Sequence, residues 1–400
     1  MSAQRLPEPP LPTSREAALA RVGAVRPADY ARSRNAIDGA VTRLSPYLSH
    51  GVLTLPEVHA SIAARFDLDP QHKLVYEFGW REYFHHVWAC RGDAIFSSLH
   101  EGPLPETAYV RELPPDIREG RTGVPAIDRA VAELYATGYL HNHARMWLAS
   151  YVVHVRKVHW RAGADWLYGH LLDGDLASNH LSWQWVAGTG SHKPYLFNAE
   201  NVAKYAPRDW HSPGTVIDRS YEAMDRMARH ADAAAAAGTR LTDPALDEPP
   251  LLAAPPQAAG YGAPEASAVA GRDVWLVHPR ALRAPPADLP DGAVSVAIAI
   301  AEWHARWPWS PGRWAFVAHL QASLATQRWF GDTASLRTAL AGARSVHAVD
   351  DPHVGHLLRQ LRHDIALRPK PHLFVPVERP CQSFSQWWHR TRLDEQVGAG

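Results

Sequence analysis

Between residues 238 and 270 the chain nearly runs out of large apolar side chains, and Ala, Pro and Gly take over. A stretch of that composition holds no core of its own and reads as a linker. The rhythm differs on its two sides. From about residue 13 to 211, apolar residues recur at helical spacing, as in Leu74, Val75 and Phe78 or Ile127, Val131, Leu134 and Tyr135, with Ser-Pro and Gly-rich breaks between them. Residues 212–237 read as one more amphipathic helix ending in an alanine run. Beyond the linker, short apolar runs at 274–277, 294–300, 316–317, 346–349 and 373–375 alternate with helical stretches. That alternation predicts a small α/β layer with parallel strands. The expected organisation is a disordered tail over 1–12, a helical domain over 13–237, the linker 238–270, a small α/β domain over 271–380, and a terminal helix and tail over 381–400 in which Trp387 and Trp388 pack back.

Composition removes several functions. Lys plus Arg and Asp plus Glu both number 41, which argues against a uniformly basic coat for nucleic acid but leaves room for a local basic groove. The two cysteines, Cys90 and Cys381, form no CxxC pair, so neither a structural zinc site nor a cysteine-held iron–sulfur cluster is expected, and no metal is assigned. There is no signal-like N-terminus and no run of about 18 apolar residues. A cytoplasmic, reducing setting without a membrane is the expectation.

Residues 173–185 read Asp-Gly-Asp-Leu-Ala-Ser-Asn-His-Leu-Ser-Trp-Gln-Trp. Two acids and an amide that can hydrogen-bond a planar heterocycle stand beside indoles that can pack on it or pass electrons. Glu77, Trp80 and Arg81 fall at i, i+3 and i+4 and share one face of a helix. Thr42 and Ser45 place hydroxyls at a helix start, an ordinary anion site. Thr137-Gly138-Tyr139-Leu140-His141-Asn142-His143-Ala144-Arg145-Met146 completes the set.

Taken in this order, over roughly residues 28–211, the four blocks resemble the FAD-binding region of the DNA photolyase/cryptochrome family. The resemblance implies an all-helical FAD-binding domain, and with the small α/β (Rossmann-like) layer that the alternation predicts after it the expected fold is mainly α. It implies FAD as cofactor, contacted by Tyr30, Thr42, Leu44, Ser45, Arg81, Asn142, Arg145, Asp173, Asp175 and Asn179. Glu77, Trp80, Met146 and Trp185 match the walls of the pocket for a pyrimidine dimer. Trp183 and Trp160 match inner members of an electron-transfer chain. Arg34 and His143 match the DNA side, with Arg156, Lys157, Arg161, Lys193 and Lys204 as further cations for a groove. Asn142 and Met146 are what cyclobutane-dimer photolyases carry where (6-4) photolyases have histidines. The implied activity is light-driven repair of cyclobutane pyrimidine dimers in UV-damaged DNA, single- or double-stranded, with a dimer flipped out of the stack. A cryptochrome-like photoreceptor without repair activity is the alternative, and a flavoprotein without photochemistry a third reading.

The chain also departs from the family. Val41 stands where a Thr or Ser is usual. The region Thr107–Ile117, which should supply the outer tryptophan, offers only Tyr109. The α/β segment follows the flavin blocks, whereas the family's antenna domain precedes them, and no antenna chromophore is assigned.

Overall fold

A computed structural model describes residues 6–233 and 244–394. The first five residues of the expected tail, the alanine run at 234–237 that ends the expected helix, the start of the expected linker and the last six residues of the terminal segment lie outside the described residues.

The helices begin and end where local chemistry allows. Lys73–Arg91 starts at His72, whose ring accepts the Leu74 N–H, and stops at Gly92, φ 55°. Asn142–Ser150 and Trp160–His170 are capped in the same way by His141 and His159. Leu176–Ala187 starts on Asp175, whose carboxylate accepts the Ser178 N–H, and ends at the left-handed Gly188. Such caps satisfy orphan N–H groups and are worth about 0.5–2 kcal/mol each. The Leu176–Ala187 helix is buried on most of its surface, with Leu176, Ala177, His180, Leu181, Trp183, Gln184, Val186 and Ala187 all inside.

Five parallel strands follow: β1 (Asp273–Val277), β2 (Val294–Ile300), β3 (Gln327–Gly331), β4 (Ser345–Val349) and β5 (Ala366–Arg368), in the order β3-β2-β1-β4-β5. Val274 pairs with Val294 on one side and Val346 on the other. Two apolar runs are not strands. Phe316 and Val317 lie inside the Pro311–Leu324 helix, which buries them along with Trp314 and Leu320. Short apolar runs are ambiguous between a strand and a buried helix, and length decides here. Residues 373–375 carry only an isolated bridge, Phe374 to Leu393. Conversely, β3 and β5 hold polar residues such as Gln327, Arg328 and Arg368 and escape an apolar pattern.

The apolar residues gather into two cores, one of which ignores chain order. One joins the N-terminal helices (Tyr47, Val58, Ile62, Val75, Phe78) to the sheet and the C-terminal segment (Trp275, Ile298, Phe316, Leu358, Phe384, Trp387). The other joins the middle helices (Ile127, Val131, Trp147, Trp160, Leu167, Trp183, Trp210). The stretch after residue 243 is pinned to both. Leu246 N–H donates to Glu119 O, Glu248 pairs with Arg118, and Leu252 bridges to Trp309. Among the described residues no helix is long and apolar enough to cross a membrane.

Candidate functional site

The largest gathering of sequence-selected polar residues lines one cavity at the seam between the two cores. Leu48, Leu55, Leu74 and Phe78 form its floor on one side and Ala149, Leu167, Leu171 and Val186 on the other. Into it face Tyr30, Thr42, Ser45, Glu77, Trp80, Arg81, Asn142, Arg145, Met146, Asp173, Asp175, Asn179 and Trp183.

The two aspartates are held differently. Arg145 Nη2 reaches both oxygens of Asp173, at 3.0 and 2.8 Å, its Nε donates to Leu140 O at 2.8 Å, and the Ser45 hydroxyl also donates to Asp173. Asp175 is 2 % exposed. One of its oxygens caps the following helix, and the other lies 2.9 Å from His85 Nε2 and 3.7 Å from Arg81 Nη2. Burial opposes ionisation there, yet His85 and Arg81 hold the Asp175 carboxyl well below the usual carboxylate range. A carboxylate anchored this firmly offers a fixed acceptor to an N–H or O–H of a ligand.

On the next turn, Asn179 Nδ2 donates to Ala164 O at 2.8 Å, which fixes the amide. Ser178 Oγ is buried without a hydrogen-bond partner among the described residues. A buried, unpartnered hydroxyl beside a cavity calls for a ligand atom. Trp183 lies against Gly163 so closely that a Cβ there would collide with its ring. Across the cavity Arg43 takes a left-handed backbone, φ 51°, between Thr42 and Ser45, and its guanidinium sits over the Tyr139 ring at 5.3 Å. Carboxylates, an amide, hydroxyls and an indole in one cleft are a donor and acceptor set that fits FAD.

Glu77 and Trp80 open on the same cavity. Burial pushes the Glu77 carboxyl above its ordinary value, against the pull of Arg34, whose Nε lies 3.5 Å away. Asn142 Nδ2 lies 3.5 Å from Met146 Sδ. Arg34 and His143 line an adjoining recess with Tyr139 and Asn35.

Several expected site residues stand elsewhere. Trp185 follows Trp183 by two residues, which on a helix turns it to another face; it is 38 % exposed and packs on Tyr195 at 5.6 Å. Leu44 is 1 % exposed, belongs to the apolar core and does not line the cavity. Trp160 faces a second cavity with Tyr109, His159 and Glu106. Of the cations, Lys157 is buried and donates to the carbonyls of His154, Met227 and Ala228, and Arg156 is paired with Asp116. Arg161 is paired with Asp165. These three are committed to structure. The sequence reading missed His85, Ser178 and Tyr139. Ser178 had a usable signal, since it adjoins Asn179 on the same motif.

Residues 74–227 match the family model described as the FAD binding domain of DNA photolyase. The chain is 36 % identical over 168 residues to a deoxyribodipyrimidine photo-lyase of Streptomyces griseus, covering 41 % of this chain and 36 % of that protein. It is 32 % identical over 198 residues to a cryptochrome DASH of Gloeobacter violaceus, covering 47 % and 39 %. Among solved structures, a Synechocystis cryptochrome aligns with a TM-score of 0.43 at 30 % identity, over 48 % of this chain and 43 % of that one. The chain spans less than half the length of these relatives. The family model and the cavity residues together mark residues 74–227 as a region of the FAD-binding type found in DNA photolyase, in a chain that is similar over about half of its length to photolyases and cryptochromes.

Proposed function

We propose that the protein is a light-driven DNA repair enzyme for cyclobutane pyrimidine dimers. The observation that carries this reading is that Glu77, Trp80 and Met146 line the same cavity as Asp173, Asp175 and Asn179. Reduced FAD, when bound, supplies a light-driven loan of one electron, under which the two cyclobutane C–C bonds break and the electron returns, with no net oxidation. The protein residues need only bind and orient. Glu77, protonated more readily than an exposed glutamate, donates or accepts a hydrogen bond at the dimer, and Trp80 and Met146 give it apolar walls. Arg34 in the adjoining recess, with His143 beside it as a neutral hydrogen-bonding group, meets the DNA backbone, where phosphate contacts position without reading sequence. The site works in the cytoplasm on damaged DNA.

The test is repair of a thymine dimer in an oligonucleotide by the reduced protein, under blue light and in the dark. Light-dependent repair that disappears in Glu77→Ala and Trp80→Ala supports the reading. Absence of repair by a reduced, FAD-loaded wild type rejects it.

Two observations favour a photoreceptor without repair activity. Phe384, from the C-terminal segment, lies on one face of Trp80, and Trp185 is outside the cavity. Under that reading FAD is photoreduced normally and no dimer is split.

A further inference from the structure

The strand order β3-β2-β1-β4-β5 changes direction between β1 and β4. Open parallel sheets hold ligands in the crevice that this reversal creates beyond the C-terminal strand ends. Here the protein itself fills it. The loop after β1 carries Pro279 and Arg280, the loop after β4 carries Asp351 and His353, and both close on residues 172–176, the turn that carries Asp173 and Asp175 into the FAD cavity.

The contacts converge on one peptide. Arg280 Nη1 donates to Gly174 O at 2.9 Å and its Nη2 to the Tyr168 hydroxyl at 2.8 Å. Arg313, from the Pro311–Leu324 helix, donates to the same Gly174 oxygen at 2.6 Å and to Tyr168 O at 2.9 Å. A Cβ on Gly174 would collide with the Arg313 guanidinium and the Tyr168 carbonyl. On the other side of Asp175, His353 Nε2 accepts the Leu176 N–H at 3.2 Å. Its Nδ1 lies 2.6 Å from Asp351, which in turn accepts from Lys370 at 2.8 Å. His353 Nε2 is also 3.5 Å from Asp175. Burial keeps His353 neutral, pushed down to about 3, so this is not an ion pair.

The two guanidiniums are buried, at 1 % and 0 % exposed. Among the described residues neither hydrogen-bonds a carboxylate, and the Nε of each has no partner. Burying a cation without a directly paired carboxylate is costly. Two such cations on a single carbonyl make sense if negative charge stands on the far side of that peptide. Asp173 and Asp175 supply part of it, but Arg145 and Arg81 already face them. The diphosphate of a dinucleotide held in the cavity would add to it.

We propose that the α/β layer is the positioning platform of the FAD site: Arg280 and Arg313 lock the Asp173–Asp175 turn through the Gly174 carbonyl and place positive charge behind it, while His353 fixes the first turn of the helix bearing Asn179. The proposal rests on FAD binding by this chain. None of the three residues lines the cavity, so each is a positioning residue. Positive charge behind the site strengthens the hold on an anionic cofactor and makes its reduction, which adds negative charge, easier.

The experiment compares full-length wild type with Arg313→Met, Arg313→Lys, His353→Leu and His353→Gln. It reads FAD affinity by flavin fluorescence, the midpoint potential of the bound flavin, and thermal melting. Arg313→Met should weaken FAD about 10-fold or more and shift the potential negative. Arg313→Lys should lose affinity while keeping its potential near wild type. His353→Leu should weaken FAD, and His353→Gln, which keeps an acceptor, should recover it. A folded Arg313→Met with wild-type affinity and potential overturns the proposal. Should Arg313→Met fail to fold, the histidine pair decides, and equal affinity in wild type and both variants overturns it. A wild type that bound no FAD would instead fail the assignment of the cavity.

Discussion

Phe384 lies flat on Trp80, with ring centroids 4.1 Å apart and planes 10° from parallel. It brings Trp387 and Trp388 with it: Trp388 crosses Tyr76 at 5.2 Å, and Trp387 approaches Tyr83 at 6.1 Å. A C-terminal aromatic cluster is thus built onto the helix that supplies Glu77 and Trp80. Phe384 is 4 % exposed, so Phe384→Ala should cost about 3–5 kcal/mol in urea unfolding. It should also free a face of Trp80. Tighter binding of a dimer-containing oligonucleotide by the variant is the expected outcome, and unchanged binding would mean that the dimer does not use this face.

Arg145 and Asp173 form an ion pair whose acid side chain is 4 % exposed. Removing the cation leaves the carboxylate buried with only the Ser45 hydroxyl. Arg145→Met should lose about 3–5 kcal/mol and retain no FAD on gel filtration. Adding Asp173→Leu should recover stability without recovering FAD. Recovery of both would show that the pair is structural only.

Gly163 is required by the Trp183 ring. Alanine is the better helix former by about 1 kcal/mol, so on propensity alone Gly163→Ala would stabilise. The collision with the indole should reverse the sign, for a net loss of about 1–3 kcal/mol. Calorimetry reads the sign directly, and a stabilised variant would mean that the ring moves freely.

Buried histidines make the fold acid-sensitive. Burial pushes the imidazoles of His141, His154 and His278 down to about 4 and that of His353 to about 3. Each folded value is below the unfolded one, near about 6.5. Stability from these groups is therefore complete above about pH 6.5. It is lost as the pH falls from there towards 4, where the unfolded chain takes up protons that the folded chain refuses. The limit is about 1.4 kcal/mol per pH unit for each histidine. The melting temperature should fall steadily between pH 6.5 and 4, and His278→Asn should flatten that slope.

Most of the cavity was legible in the sequence because its residues act locally. Asp175 caps the helix that bears Asn179 and Trp183, and Glu77, Trp80 and Arg81 share one helical face, so spacing alone brings them together. Helical periodicity likewise marks the N-terminal helices, and β1, β2 and β4 are apolar enough to read as strands. What the sequence hid is what depends on distant chain. Nothing near His85 or His353 says that both will meet Asp175, and Arg280 and Arg313 look like surface cations until the sheet buries them. Phe316 and Val317 misled for a related reason: a helix buried on nearly every face has no polar side to set its period. Trp185, which the motif puts at the wall of the dimer pocket, stands 38 % exposed beside Tyr195.

The mixed core has a consequence for how the chain is born. Ser49 and Arg280 touch across 231 residues of sequence, and Tyr47 packs on Phe316. During synthesis at about 5–20 residues per second, the first helices therefore wait on the order of ten seconds or more before their apolar faces find cover. Through that interval the nascent chain shows its first hydrophobic surfaces to the cell, and a chaperone that shields early helices should decide its yield more than any step in the middle helices, whose partners emerge close behind them.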